Sequence, residues 1–281
     1  MSPTQPETAN RPAGPSGIPA LAQRVLAAAV GIPVIVALIW AGGDWYVAAV
    51  CAALAVGALE FQHPRFGWLA PMSLLAAIFV SAMAGGAHTG PDWVLWFLAG
   101  GVIAAFALVL LRFDAETALL DWMWTAGALL YVGMLGSFFV LVRDFPDGRD
   151  WAYMTVFTTF AIDTGAYFSG RAVGRRLLAP RISPKKTVEG FAGGYVAGIV
   201  AAVLLNYFLG LRITGWQIAL LAIVLPLAAT VGDLSESAIK RSMHIKDTSE
   251  IIPGHGGILD RFDSLLFTFT IVYLFQQWIV S

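Results

Sequence analysis

The chain has 281 residues, 58% of them hydrophobic and 12% charged, with a formal net charge of −1. That charged fraction is about half of what a soluble domain carries, which excludes an ordinary water-soluble fold and leaves an all-α, polytopic integral membrane protein. The single cysteine, Cys51, sits in an apolar run with no Cys/His partners at metal spacing, so neither disulfide nor zinc chemistry is supported.

Residues 1–17 are rich in proline, serine, threonine and glycine and lack the apolar content that offsets ordering entropy, so they read as a disordered tail. The apolar run that follows is longer than a signal peptide core and leads into further spans, so it reads as the first membrane helix. Apolar runs set against turn signals predict nine helices, at 25–41, 45–60, 66–84, 92–111, 119–142, 151–170, 190–211, 216–234 and 263–280. The second of these ends at Glu60, and the break after it is the weakest boundary. With the N-terminus inside, all 17 lysines and arginines except Arg143, Arg149 and Arg212 fall on the cytoplasmic side. The external loops instead collect Asp44, Asp92, Asp144, Asp147 and Asp150. Two loops, 171–189 and 235–262, gather the polar residues, and both face the cytoplasm in this arrangement. The expected organisation is therefore the tail 1–17, a transmembrane scaffold 18–142, and a transmembrane region 143–281 that carries the chemistry on those two loops.

The stretch Gly232-Asp233-Leu234-Ser235-Glu236-Ser237-Ala238-Ile239-Lys240-Arg241 continues from the eighth span. On a helix, Asp233, Ser237, Lys240 and Arg241 share one stripe at the membrane boundary. The two cations could simply snorkel to the interface, with Glu236 pairing Lys240. Asp233 resists that reading, because a carboxylate at membrane depth costs roughly 2.5–3.5 kcal/mol and usually has a functional partner.

Further along, Pro253-Gly254-His255-Gly256-Gly257 is a loop that lets backbone N–H groups approach an anion. Asp260 and Asp263 follow, three apart at the start of the ninth helix. Alone, each would be a helix N-terminal acid stabilised by the dipole. Together, after a glycine loop and with Asp233 one helix earlier, they suit a hard cation such as Mg²⁺. His255 has no second His or Cys beside it, so a structural or phosphate-contacting role is preferred to zinc binding or proton transfer. The loop Ser183-Pro184-Lys185-Lys186-Thr187 fits a triphosphate clamp leading into a helix, although its charges also satisfy the positive-inside bias or nonspecific anionic-lipid attraction. Asp163, within a span, is a second carboxylate for the same polar pocket.

From Ser237 to Asp263 the chain reads Ser-x-Ile-Lys-Arg-x4-Lys-Asp-x-Ser-x2-Ile-Pro-x-His-Gly-Gly-Ile-x-Asp-Arg-Phe-Asp, and this run resembles the signature of the phosphatidate cytidylyltransferases, or CDP-diacylglycerol synthases. The resemblance extends upstream through Gly232-Asp233-Leu234-x-Glu236-Ser237, through 179–190 and through Asp163-Thr164-Gly165-Ala166-Tyr167. It does not reach the N-terminal half except as a set of apolar spans.

The resemblance implies nucleotidyl transfer from CTP to phosphatidic acid, giving CDP-diacylglycerol and pyrophosphate, dependent on Mg²⁺ with room for a second cation, at a bacterial inner membrane. The metal would fall to Asp233, Asp260 and Asp263. Ser237, Lys240 and Arg241 would complete the catalytic set, and Asp163, Ser183, Lys185, Lys186, Lys246, His255 and Arg261 would line the substrate site. Membrane lipids are the expected surroundings, a homodimer is an admissible assembly, and no nucleic acid is expected. A secondary transporter using Asp163 and Asp233 is the rival from another class, but it would place polar groups near the midplane. A CTP-dependent lipid kinase and an archaeal-type lipid cytidylyltransferase are nearer rivals. The pattern Asp-Gly-x2-Ala-Arg expected of a CDP-alcohol phosphatidyltransferase is absent.

Overall fold

The computed structural model describes residues 20–211, 213–245, 247–249 and 256–280. The expected tail at 1–17, together with Lys246 and His255, lies outside them. Within the described residues the helices are α1 (Ala20–Ala41), α2 (Gly43–Phe66), α3 (Pro71–Thr89), α4 (Asp92–Leu111), α5 (Ala118–Ala128), α6 (Leu135–Arg143), α7 (Gly148–Val173), α8 (Val188–Leu209), α9 (Gly215–Ser242) and α10 (Leu259–Phe275). A π segment, Leu129–Met134, joins α5 to α6 in one rod, and a second, Gln276–Val280, extends α10. The expectation is nine membrane-spanning helices. Seven of the rods are long and apolar enough to cross a membrane: α2, α3, α4, α5 with α6, α8, α9, and α10 with its extension. The α7 helix is long enough but carries Arg149, Asp150, Asp163 and Arg171.

Several boundaries differ from expectation, with α1 starting five residues early and α3 lying five residues later at both ends, because apolarity marks the depth of a helix in lipid and not where its hydrogen bonding stops. Helix α2 runs past Glu60 to Phe66, and the chain turns at Gly67, whose φ of 89° is open to glycine. Helix α9 continues past 234 to Ser242 through residues that are polar yet good helix formers, braced by Lys240 on Glu236 at i, i+4. Helix α10 starts at Leu259, four residues early, because carboxylates satisfy its first N–H groups.

The region 171–189 is also more ordered than a loop. Strands β1 (Leu177–Ala179) and β2 (Ser183–Thr187) pair antiparallel in a small hairpin, so the Ser-Pro-Lys-Lys-Thr segment is a strand and not a turn. Thr187 then caps α8, its Oγ1 accepting from Gly190 N at 3.0 Å. Glu189 ties the hairpin to the end of α7, accepting from the backbone N–H groups of Arg175 and Arg176 at 3.0 and 3.1 Å.

Helices α7 and α8 pack backbone to backbone. A Cβ on Gly194 would lie 2.8 Å from Ile162 O, and one on Gly190 would lie 2.9 Å from Ala166 O, so only small residues fit this seam. A similar approach at Gly232, where a Cβ would meet Ser264 Cα at 3.1 Å, sets α9 against α10 beside Asp233. The apolar core lies between the rods, with Leu54, Val80, Met83, Leu129, Met154, Leu221, Leu225 and Leu266 fully or almost fully buried.

Candidate active site

Three segments converge where α9 ends and α10 begins. From β2, Lys186 forms an ion pair with Asp233 of α9. From α9, Arg241 donates to Ile182 O at 3.3 Å and to Ile245 O at 3.2 Å, clasping the hairpin to the helix end. From α7, Asp163 lies one helical turn beyond Thr159, whose Oγ1 donates to Thr268 Oγ1 of α10 at 3.1 Å. The hairpin segment therefore meets the 233–263 segment directly, and Asp163 lies on the helix that packs against α10.

The stripe expected on α9 divides in two. Asp233 and Arg241 turn toward the hairpin. Glu236 and Lys240 turn toward α10, where Lys240 Nζ donates at 2.8 Å to Glu236 Oε2 and at 2.8 Å to Asp260 Oδ1. This triad is almost dry, with side-chain exposures of 14% for Lys240, 2% for Glu236 and 4% for Asp260. The other oxygen of Asp260 accepts from Gly257 N at 2.7 Å and Thr248 N at 3.1 Å. Asp260 is thus fully engaged by protein donors. Asp263 is different: half-buried, it accepts from the adjacent Ser264 N at 2.6 Å, and its charge acts on that of Asp233. Ser237 is half-buried on α9, Ser183 is paired to Ala179 in the hairpin, and Lys185 and Arg261 are exposed.

The glycine loop also does other work than expected in its described part. Gly257 N goes to Asp260, while Ile258 N and Leu259 N donate at 3.0 and 2.8 Å to the two oxygens of Glu60. These N–H groups hold protein carboxylates, so 257–259 do not cradle an external anion. Gly256, at φ 81°, makes the turn, and a Cβ on Gly257 would lie 2.7 Å from Glu60 Cδ.

Glu60 is the residue that sequence reading passed over. It is fully buried, reaches from α2 to cap α10, and also accepts from Ser249 Oγ at 2.6 Å. The N-terminal half is therefore more than scaffold, because it supplies the cap that fixes the start of α10. One signal was available in the sequence: a carboxylate in an apolar run needs partners. Glu60→Gln replaces one acceptor by an amide NH₂ facing N–H donors, so it should lower unfolding stability in detergent by about 1–3 kcal/mol. An unfolding midpoint equal to that of the wild type would show that the cap does not matter.

Among the described residues no three His, Cys, Asp or Glu side chains are drawn together closely enough to hold an ion by themselves. With Asp260 engaged elsewhere, the expected three-aspartate ligand set is not assembled. What remains, Asp233 and Asp263 at the α9–α10 contact, is an all-oxygen donor set of two carboxylates. That set fits Mg²⁺, which commonly takes one or two carboxylates and completes its shell with water and substrate phosphates.

Residues 22–279 match the model of the cytidylyltransferase family. The chain belongs to that family. Its relatives among curated proteins include the phosphatidate cytidylyltransferase of Bacillus subtilis strain 168, 42% identical over 147 residues, which are 52% of this chain and 55% of that protein. The enzyme of the same name from Staphylococcus haemolyticus strain JCSC1435 is 35% identical over 180 residues, 63% of this chain and 68% of the relative. That of Staphylococcus aureus strain COL is 36% identical over 183 residues, 64% and 69% respectively. The chain thus spans just over half the length of the Bacillus protein and about two thirds of the others.

Proposed function

We propose that this cytidylyltransferase transfers the cytidylyl group of CTP to phosphatidic acid, giving CDP-diacylglycerol and pyrophosphate for phospholipid synthesis. The observation that carries the reading is the Lys186–Asp233 ion pair, which joins the β2 segment to α9 where Gly232 packs on Asp263 and Ser264 of α10, at one end of an apolar bundle. The relatives' name, phosphatidate cytidylyltransferase, supports the lipid acceptor. The distribution of lysine and arginine supports a cytoplasmic position for that end, where water-soluble CTP reaches a membrane-held phosphate.

In the reaction a phosphate oxygen of phosphatidate attacks the α-phosphorus of CTP. A new P–O bond forms as the bond from that phosphorus to the bridging oxygen breaks, and the electron pair leaves with pyrophosphate. The nucleophile is already ionised near neutral pH, so the chain has to align and neutralise and needs no strong base. Lys186 balances Asp233 in the ligand-free chain and is a point charge for phosphate oxygens when substrate arrives. Arg261 and Lys185 add exposed cations, and Ser183 and Ser237 add hydroxyl donors. Arg241 holds the hairpin that presents Lys186. Asp233 and Asp263 would hold Mg²⁺, which when bound neutralises phosphate charge. Lys240 and Asp260, expected in the reaction itself, are read here as a buried brace at the start of α10, one turn before Asp263.

The test is direct: protein purified in detergent and given phosphatidate, CTP and Mg²⁺ forms CDP-diacylglycerol and pyrophosphate. An absence of product with every divalent metal tried would end the assignment.

A further inference from the structure

Tyr131 lies in the π segment between α5 and α6, in the half of the chain outside the signature. Its ring packs between Phe61 of α2, at a centroid distance of 6.1 Å, and Phe267 of α10, at 6.5 Å. Phe267 lies one helical turn beyond Asp263 and packs on Gly232, the neighbour of Asp233. The ring thus lies beside the α9–α10 contact at Gly232 that carries Asp233 and Asp263. The Tyr131 hydroxyl is buried and has no hydrogen-bond partner among the described residues. A buried orphan of this kind is rare in native structures because it loses its water without compensation. Phenylalanine would fill the same space without that cost, so the fold gives no reason for the oxygen. Its backbone is also unusual, since single π turns interrupt α-helices mostly at functional sites.

We propose that the Tyr131 hydroxyl donates a hydrogen bond to a phosphate oxygen of bound substrate. The inference rests on the nucleotidyl-transfer reading above. A neutral donor suits this place: it meets an anion without adding a further cation to a cluster already balanced by Lys186 and Lys240. The phosphate can belong to the nucleotide or to the lipid, which share the acceptor chemistry.

The variant Tyr131→Phe separates the two and tests the proposal, with kinetics in mixed micelles and unfolding midpoints taken without ligand and with CTP and Mg²⁺ or with phosphatidate. The ligand-free midpoint should equal or exceed that of the wild type. The KM for one substrate should rise by about 10-fold to 100-fold, the range of a hydrogen bond to a charged group, and the thermal shift given by that substrate should shrink. A change confined to CTP assigns the nucleotide phosphates, and one confined to phosphatidate assigns the lipid phosphate. Wild-type KM values and wild-type shifts for both substrates would overturn the proposal while leaving the wild-type reaction intact. Failure of Tyr131→Phe to fold would overturn it too, because the hydroxyl would then serve the structure. If the wild-type protein itself makes no CDP-diacylglycerol, the underlying reading falls, and this proposal with it.

Discussion

Asp263→Asn is expected to abolish turnover while leaving the protein folded. The substitution keeps the shape of the side chain and an oxygen that can accept from Ser264 N, as Asp263 does at 2.6 Å. It removes one of two negative charges, on Asp263 and Asp233, that act on each other across the α9–α10 contact. In the ligand-free protein those like charges repel, so the asparagine variant should melt at the wild-type temperature or somewhat above it. In the reaction the loss is severe, because a Mg²⁺ site built on one or two carboxylates cannot spare one. A fall in kcat of at least about 100-fold is the expected scale for removing one group that stabilises transition-state charge. Opposite effects on activity and stability mark a residue retained for chemistry. Near-normal kcat would remove Asp263 from the metal site, and a large drop in melting temperature would make its role structural.

Lys240→Met is expected to act the other way, on the fold first. The sequence places Lys240 in the catalytic stripe, whereas the structure puts its ammonium between Glu236 and Asp260, both nearly inaccessible to solvent. Methionine fills much of the same volume but leaves two carboxylates facing each other without a cation. Removing one partner of such a buried group typically costs about 3–5 kcal/mol. Unfolding in detergent should show a loss of that size, with activity falling because Asp260 no longer fixes the turn that starts α10. If stability is unchanged and only the KM for CTP rises, Lys240 is a phosphate ligand after all and the buried-brace account is wrong.

These two residues show what the sequence reveals and what it hides. The apolar runs are long and separated by turn residues, so the rods could be placed within a few residues of their observed ends. Their polar extensions were less plain in the apolar runs, and the continuation of α9 through Glu236 to Ser242 is legible from the helical stripe of Asp233, Ser237, Lys240 and Arg241 instead. The polar segments that converge were legible because charge at membrane depth is costly, and Lys186 and Asp233 do meet. The direction each side chain takes was not legible. Lys240 and Arg241 are adjacent in sequence, yet one enters a buried triad and the other holds a hairpin carbonyl. Helical spacing fixes angles about one axis only, and which neighbour packs on each face is a tertiary matter. Glu60 lay furthest out of reach. Its partners Ser249, Ile258 and Leu259 are 189 to 199 residues away, and nothing local in Ala58-Leu59-Glu60-Phe61 announces a cap for another helix.

The central claim is that this end of the bundle moves a cytidylyl group and not a phosphoryl group. CTP labelled at its α-phosphorus or at its γ-phosphorus distinguishes the two, with the purified protein in micelles containing phosphatidate and Mg²⁺. The account predicts that the α-label enters the lipid and the γ-label is recovered in pyrophosphate. The γ-label in the lipid, or no label transferred from either position, would contradict it.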